Sequence, residues 1–562
     1  MKEFKSFFLG LAFALGQVGG GAAAQDSGLE PPRPHTWQRW EHALTCAHSY
    51  ENPYSTVTLR VTYTGPGGRT LRAYGFWDGG DLFRIRCAFP TPGTWRWETE
   101  CSDTTNTGLH RQRGTVDVST YRGDNLLYRH GFLKVSDNRR YLAYGDGTPF
   151  LWIGDTAWAA FIHASQAEWE TYVQDRKAKK YSVIQVHAGA GFTGNNQDRA
   201  GQPAFLGEGE QFRWNPEFWR GVERKIQSVN EQGFLVMICA VGDAPAQLGG
   251  VKRGDLDEVR RFARNLAARL MGDFVAYSPV ADDVWSPMAD ACGTALKEAD
   301  VQHLVIAHPR FLLEPAKTFH DKDYTDAGGL QSGAGWLYDP YRGEPGKPFS
   351  AVTAVRAAIE WPLALYHREP RKPVLNLEGP YDSVGLQTAD AAKYGQPYPK
   401  RLPRSVGYLG FLSGALGYTG GCGGVWNWGT PVNEATGGWD LETAINAPSS
   451  TEMMYLSEYL ARLDWWRLEP AHELIRNQTD DVTRRMVLAK SAARDLAVAY
   501  LPNNEAIEID VSGFPSALAA RWFDPVNARY TSIAGRIENK GTHRFVAPAK
   551  GDWVLLLQRK DG

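Results

Sequence analysis

An α/β fold is predicted for the middle of this chain, a (β/α)8 TIM barrel, with an N-terminal β-sandwich before it and a small C-terminal β-domain after it. Three observations predict it. Apolar strands alternate with amphipathic helices from about residue 131 to 465, eight strand-like runs can be counted there, and turn-punctuated β patterns lie on both sides. At 562 residues the chain is long enough for about three domains, each with its own core.

Residues 1–24 carry export features: Lys2 and Lys5 precede an apolar stretch from Phe7 to Leu15, and Ala22, Ala23 and Ala24 close it before Gln25. The apolar stretch is shorter than the roughly 20 residues that span a bilayer, so a removed signal peptide and a secreted or periplasmic protein are expected. From 36 to 118, short β runs (Ser55 to Thr64, Leu71 to Trp77, Leu82 to Phe89, Gly93 to Glu98) are broken by turns such as Gly65-Pro66-Gly67-Gly68. That spacing predicts the sandwich.

The barrel, 131 to 465, opens with Phe150 to Gly154. Ser165 and Glu168 then have capping-box spacing at the start of a helix. Ser182 to His187 is the second strand, and Asn215-Pro216 starts a helix that Gly233 stops. Strands follow at Phe234 to Val241, Phe274 to Val280, Leu304 to Ala307, Gly328 to Gln331 and Val374 to Leu377, with Gly424 to Trp428 as the eighth. Ser449 and Glu452 are spaced for another capping box. The C-terminal domain, 470 to 562, has β runs at Arg485 to Ala489, Leu496 to Leu501, Ile507 to Val511, Ala519 to Phe523 and Trp553 to Leu557.

Composition narrows the function. Sixty-one basic and 63 acidic residues leave a net charge of -2, which gives no footprint for nucleic acid. Twenty Trp and 24 Tyr suit a sugar-binding surface, as they equally suit a large β-rich core. Cys46, Cys87, Cys101, Cys239, Cys292 and Cys422 are too scattered for a zinc site, and Cys239 and Cys422 are expected to be buried thiols. There is no H-E-x-x-H or G-x-S-x-G motif. His187, Asp243 and His308 are the nearest approach to a metal set, but no metal or cofactor is expected.

Parallel barrels hold their chemistry at the C-terminal ends of the strands. The polar residues there are Asp155, His187, Asp243, Asp282 and Asp283, His308, Gln331 and Glu378, with Trp426 and Trp428 on the eighth run. Glycosidic hydrolysis needs two carboxylates flanking the bond, and Glu378 with one of the Asp282-Asp283 pair supplies them. The competing account of Glu378 is a salt bridge with Lys372 or Arg371. Trp158 either reaches a substrate or fills helix core, and His187 and His308 can bond a sugar or orient a carboxylate. Trp426 and Trp428 alternate along a strand and are expected to point the same way.

The residues also resemble a known family. Pro149 to Trp158 (PFLWIGDTAW), His308-Pro309-Arg310, Gln331-Ser332-Gly333, Lys372 to Glu378 (KPVLNLE), Ser413-Gly414-Ala415 and Gly424 to Trp428 (GVWNW) are similar, in order, to the apiosidase-like glycoside hydrolases, also called glycoside hydrolase family 140-like. Phe89 to Trp95 (FPTPGTW) is similar to the β-sandwich that precedes such barrels. Arg521 to Pro525 (RWFDP) and Gly551 to Val554 (GDWV) are similar to a collagen-binding-like β-domain that follows them.

The resemblance implies a retaining glycosidase acting on a poly- or oligosaccharide, with Glu378 as nucleophile and Asp282 as acid/base, Asp283 being the alternative. It implies Asp155 and Trp158 as sugar contacts, and strand-end position places His187, His308, Gln331, Trp426 and Trp428 as further candidates at the substrate. The family shows two glycines and a following arginine around its acid/base where this chain has Ala281-Asp282-Asp283, so the leaving-group subsite is expected to differ. A non-catalytic carbohydrate-binding barrel and an extracellular-matrix adhesin stay open as alternatives. Sugar, linkage and oligomeric state are not legible.

Overall fold

Burial alternates along the first strands of the molecule, and that alternation builds the N-terminal domain. In this computed structural model, residues 33–189, 197–240, 255–310, 314, 317–333, 351–382, 397–428 and 439–559 are described. Asp243 and the Met1–Ala24 segment lie outside them. Six antiparallel strands form the domain: β1 (Arg39–Thr45), β2 (Leu59–Thr64), β3 (Thr70–Trp77), β4 (Leu82–Ala88), β5 (Gly93–Cys101) and β6 (Arg113–Val118), in the order β1-β4-β3-β2-β5-β6. β3 pairs with β2 through its first residues and with β4 only through Phe76 and Trp77. It thereby folds the sheet over one core, with Val61 and Tyr63 from β2 against Ile85 and Cys87 from β4 and Trp95 and Trp97 from β5.

The barrel strands are β7 (Trp152–Thr156), β8 (Val183–His187), β9 (Leu235–Cys239), β10 (Val275–Ser278), β11 (Leu304–Val305), β12 (Gly328–Gln331), β13 (Val374–Glu378) and β14 (Ala415–Gly420). They pair in parallel in the order β11-β10-β9-β8-β7-β14-β13-β12. The β11/β12 seam has no ladder among the described residues. Asp326 bridges it, its N–H donating to the Val305 carbonyl and its carboxylate accepting from the Val305 N–H, both at 2.8 Å. Gly329 is required at this seam, because a Cβ there would lie 2.2 Å from the Ala307 carbonyl oxygen.

Both faces of each strand are buried, and parity decides which core a side chain joins. Trp152, Val183, Leu235, Met237, Phe274, Ala276, Leu304, Ile306, Leu375 and Leu377 fill the barrel interior. Their neighbours Ile153, Ile184, Val186, Val236, Ile238, Val275 and Val305 face the helices.

The helix layer includes α1 (Gln166–Ala178), α2 (Pro216–Glu231), α3 (Leu256–Leu270), α4 (Pro287–Ala299), α5 (Ala351–Tyr366), α6 (Pro397–Leu412) and α7 (Pro448–Ala461). α1 carries the expected capping box of Ser165 and Glu168, and Asn215 caps α2 ahead of Pro216. Two expectations are corrected. The eighth strand is Ala415–Gly420, and Gly424 to Trp428 is a run of turns after it. The sequence is apolar and aromatic there, but Gly424 and Trp428 both adopt positive φ, which no strand accommodates. The second capping box is not formed either: Ser449 donates its N–H to Asp382, and Glu452 pairs with Arg404.

The C-terminal domain has β15 (Leu468–Pro470), β16 (Val487–Ser491), β17 (Leu496–Leu501), β18 (Ala506–Asp510), β19 (Leu518–Asp524), β20 (Arg529–Ser532), β21 (Thr542–Val546) and β22 (Trp553–Arg559). Six of them form the sheet β15-β16-β17-β22-β19-β20, and β18 pairs with β21. One sheet face, with Val487, Val498, Tyr500, Val554 and Leu556, packs into the same core as the barrel helices. The other face, with Leu488, Ala499, Leu501, Leu555 and Leu557, belongs to the domain's own core. Arg404 of α6 locks the junction through two bonds to Asp552 at 2.8 and 2.9 Å, and Tyr500 donates to the same carboxylate.

All six cysteines are buried and unpaired by disulfides, Cys239 and Cys422 among them as expected. No described helix is long and apolar enough to cross a membrane.

A charge cluster joins sandwich and barrel. Arg39, Arg84, Arg86 and Arg269 interlock with Glu41, Asp78, Glu223 and Asp273. Glu223 of α2 is its hub, accepting from Arg39 (3.2 Å), Arg86 (2.7 Å) and Arg269 (2.5 Å). Burial raises its pKa, but the guanidinium groups of Arg86 and Arg269 outweigh burial and hold it well below the usual carboxylate range. Removing one partner of a buried ion set strands the others, so Glu223→Gln should cost about 3–5 kcal/mol of stability in chemical denaturation. A loss no larger than that of an exposed substitution would show the cluster to be dispensable.

Candidate active site

Polar side chains converge at the C-terminal ends of β8, β10, β11, β12 and β13, and the local backbone explains why. The decisive feature is a one-residue bulge in β13. Gly328 N–H bonds the Pro373 carbonyl (2.8 Å), and Ser332 N–H bonds the Glu378 carbonyl (2.9 Å). Between these bonds one strand advances four residues and the other five, so the register shifts and Gln331 pairs with Glu378. Strict alternation after Leu375 and Leu377, both inward, would turn Glu378 out toward the helices. The bulge turns it into the mouth instead.

There Glu378 meets Asp282, His308 and Gln331. The Gln331 amide nitrogen donates to Asp282 (3.0 Å) and to Glu378 (2.5 Å). The His308 ring lies 3.2 Å from Glu378 through Nε2 and 3.6 Å from Asp282 through Nδ1. One oxygen from each carboxylate and one ring nitrogen of His308 all lie within 4.8 Å of one another. Glu378 is buried, whereas the Asp282 side chain is 35 % exposed. Asp282 has a φ of 52°, in the left-handed region that costs a non-glycine residue on the order of 1 kcal/mol.

Burial lowers the pKa of His308, but Glu378 and Asp282 outweigh it, so the ring is more readily protonated than a free imidazole. His187 behaves oppositely: burial, helped by the nearby His308, pushes it down to about 3 and keeps it neutral. Trp158 lies between the two histidines, 4.9 Å from the His187 ring and edge-on to His308 at 5.1 Å. Its indole N–H donates to Tyr381 Oη (3.0 Å). Burial together with a hydrogen bond to Glu378 raises the Tyr381 hydroxyl well above its ordinary value, so it stays a donor.

The mouth thus gathers Glu378, Asp282, His308, Gln331, His187 and Trp158 from the residues expected there. Trp426, partly buried, packs beside Trp158 and Cys239. Two others are placed elsewhere, and Asp283 is engaged by its own chain. Asp155 faces outward from β7, where it accepts from Arg176 (2.6 Å) and Tyr172 (2.9 Å) of α1. Trp428 packs against Trp169 and Tyr172 of α1 and is buried outside the mouth. Asp283 caps its own chain, accepting from the Val284 N–H (2.8 Å), and its backbone bridges Pro309.

Tyr381 was missed because it follows Glu378 in a loop with no strand pattern to announce it. Asp282, His308 and Glu378 are also the one group among the described residues spaced for a metal ion. The amide N–H groups of Gln331 fill the space between the two carboxylates, an arrangement suited to the acids themselves rather than to a cation.

A family described as apiosidase-like, catalytic domain, matches residues 136–467. The chain belongs to that apiosidase-like family. Residues 33–102 match a domain of unknown function, and residues 470–558 match a family described as the putative collagen-binding domain of a collagenase. No curated protein matches the sequence. Among solved structures, one described as a putative glycoside hydrolase from Bacteroides vulgatus is similar over 94% of this chain and 100% of its own, with TM-score 0.70 and 17% identity. A family 5 glycoside hydrolase of the same organism has TM-score 0.66 and 21% identity, covering 77% of this chain and 95% of its own. A third, described as a glycoside hydrolase, has TM-score 0.67 and 21% identity over 77% of this chain and 98% of its own. These likenesses bear on the fold, and family membership makes this apiosidase-like chain a glycoside hydrolase with a carbohydrate substrate.

The outward turn of Asp155 gives a test. Asp155→Asn should destabilise the protein by about 3 kcal/mol, because it takes from buried Arg176 the more deeply buried of its two carboxylate partners and leaves only Asp175. The folded variant, assayed well below its melting temperature, should keep the wild-type KM. A raised KM at unchanged stability would put Asp155 back at the substrate.

Proposed function

We propose that this protein is a retaining glycoside hydrolase that cleaves a poly- or oligosaccharide by double displacement, with Glu378 as nucleophile and Asp282 as acid/base. The observation that carries this reading is that one oxygen of each carboxylate lies within 4.8 Å of one oxygen of the other, with the single Gln331 amide nitrogen bonded to both. Retaining enzymes hold theirs about 5–5.5 Å apart, and inverting enzymes leave about 6.5–9.5 Å for a water molecule.

The surroundings suit the two roles. Glu378 is buried under donors from Gln331 and Tyr381 and beside His308, which hold its carboxylate in the mouth where it can attack. Asp282 reaches solvent and can reload its proton from water. In the first step Glu378 attacks the anomeric carbon as the Asp282 proton passes to the departing oxygen. In the second, Asp282 removes a proton from water, and the resulting hydroxide displaces Glu378 from the sugar. Asp282 is preferred to Asp283, whose carboxylate is turned onto the adjacent Val284 amide.

A panel of 2,4-dinitrophenyl and alkyl glycosides, with the first-formed anomer read by NMR, tests the reading. Glu378→Gln should abolish turnover while the fold persists. Asp282→Asn should slow alkyl glycosides by about 10²–10⁴-fold and the dinitrophenyl glycosides far less, since a good leaving group needs no proton. An inverted first product, or a fully active Glu378→Gln, would overturn the mechanism. The Asp282 signature arising in Asp283→Asn instead would move the acid/base by one residue.

We also infer export, with Met1 to about Ala24 removed, from the charged start, short apolar stretch and alanine-rich exit. Mass spectrometry of the exported protein should find a first residue near Gln25, and an intact Met1 would refute the inference.

A further inference from the structure

The bulge that aims Glu378 leaves a backbone group to be satisfied. In an unbroken parallel ladder Ser332 N–H would bond the Leu377 carbonyl. Here it has moved on to the Glu378 carbonyl, and the Leu377 carbonyl has lost that donor in the buried barrel core. The Gln185 side chain of β8 reaches it from the other side of the barrel, its Nε2 donating to the Leu377 oxygen at 2.9 Å.

Gln185 is itself fixed. Its Oε1 accepts from Thr419 Oγ1 of β14 (2.8 Å), and that hydroxyl accepts from Trp152 Nε1 of β7 (3.0 Å). Gln185 and Thr419 are wholly buried, as is Trp152. The relay therefore runs from one indole N–H through a hydroxyl and an amide to one carbonyl.

We propose that Gln185 is a positioning residue for the glycosidase reaction: by holding the Leu377 carbonyl, it keeps the β13 bulge and so keeps Glu378 in the mouth. Thr419 and Trp152 fix the amide in the orientation this needs. Gln185 touches neither acid, and its effect on chemistry passes through the backbone of Leu377. The proposal rests on Glu378 being the nucleophile.

The test uses the full chain and the 2,4-dinitrophenyl glycoside that proves active in the panel above. Gln185→Leu removes the donor, and misplacing a reacting group by about 1 Å costs on the order of 10²-fold in rate. The expected result is a fall of roughly that size in kcat with KM little changed, at temperatures where the variant is fully folded. In its crystal structure Ser332 N–H should return to the Leu377 carbonyl. Gln185→Glu adds a signature that a filler of space would lack. Only a protonated carboxyl can donate to the carbonyl, so its kcat should recover toward wild type as pH falls, after division by the wild-type profile. Thr419→Val, which keeps shape and removes the hydroxyl, should lower kcat in the same sense by about tenfold.

Wild-type kcat in Gln185→Leu, or Ser332 still bonded to Glu378 in its structure, would overturn the proposal. Should Gln185→Leu fail to fold, Gln185→Glu and Thr419→Val decide: wild-type kcat in both, with the wild-type pH profile in the former, overturns it. Failure of the underlying reading is distinguishable, because it would appear as activity in Glu378→Gln whatever the Gln185 variants do.

Discussion

A parallel strand buried on both faces has no solvent in which to leave a polar side chain, and that constraint governs this molecule. Each polar residue on the eight strands must meet a partner, and parity decides whether the partner lies inside the barrel or in the helix layer. Asp155 falls on the outer parity and is neutralised by Arg176, becoming a strut between strand and helix. Glu378 falls on the same parity by count but is rotated inward by the bulge, where it meets donors rather than a fixed guanidinium. Two carboxylates at similar strand ends thus have unlike fates, set by backbone register alone.

The flanking domains obey the same constraint at larger scale. The sandwich meets the barrel through arginines and carboxylates that satisfy one another, so a polar interface survives without water. The C-terminal sheet meets it through an apolar face pinned by the Arg404–Asp552 pair. Both junctions lie away from the mouth residues, and Glu378, Asp282 and His308 all come from the barrel.

Much of the fold was legible because its signals are periodic or chemically unambiguous. Seven of the eight strands, the Ser165–Glu168 capping box and the Asn215-Pro216 helix start follow from apolar runs and cap residues. The eighth strand was displaced because Ala415–Gly420 is poor in β-branched residues, while the tryptophans after it look more strand-like than they are. Weakly apolar β20 and β21 of the C-terminal domain escaped notice for the same reason. At the site, strand-end position located Glu378, Asp282, His308 and Gln331, but it could not tell inward from outward. Asp155 and Trp428 therefore share a sequence position with residues they do not join in the structure. A bulge leaves no mark in one sequence, so neither the rotation of Glu378 nor the part played by Gln185 could be read from residue types.

The two buried faces of the C-terminal sheet also bear on how such a chain can be recombined. Its strands read as unbroken apolar runs, Leu-Ala-Val-Ala-Tyr-Leu in β17 and Trp-Val-Leu-Leu-Leu in β22, because neither face was ever meant to meet water. A chimera that borrowed the barrel alone would inherit a bare greasy patch on its helices, and one that borrowed the sheet alone would inherit the matching patch. Either piece alone would need a new apolar partner, or polar substitutions across that patch, to stay in solution.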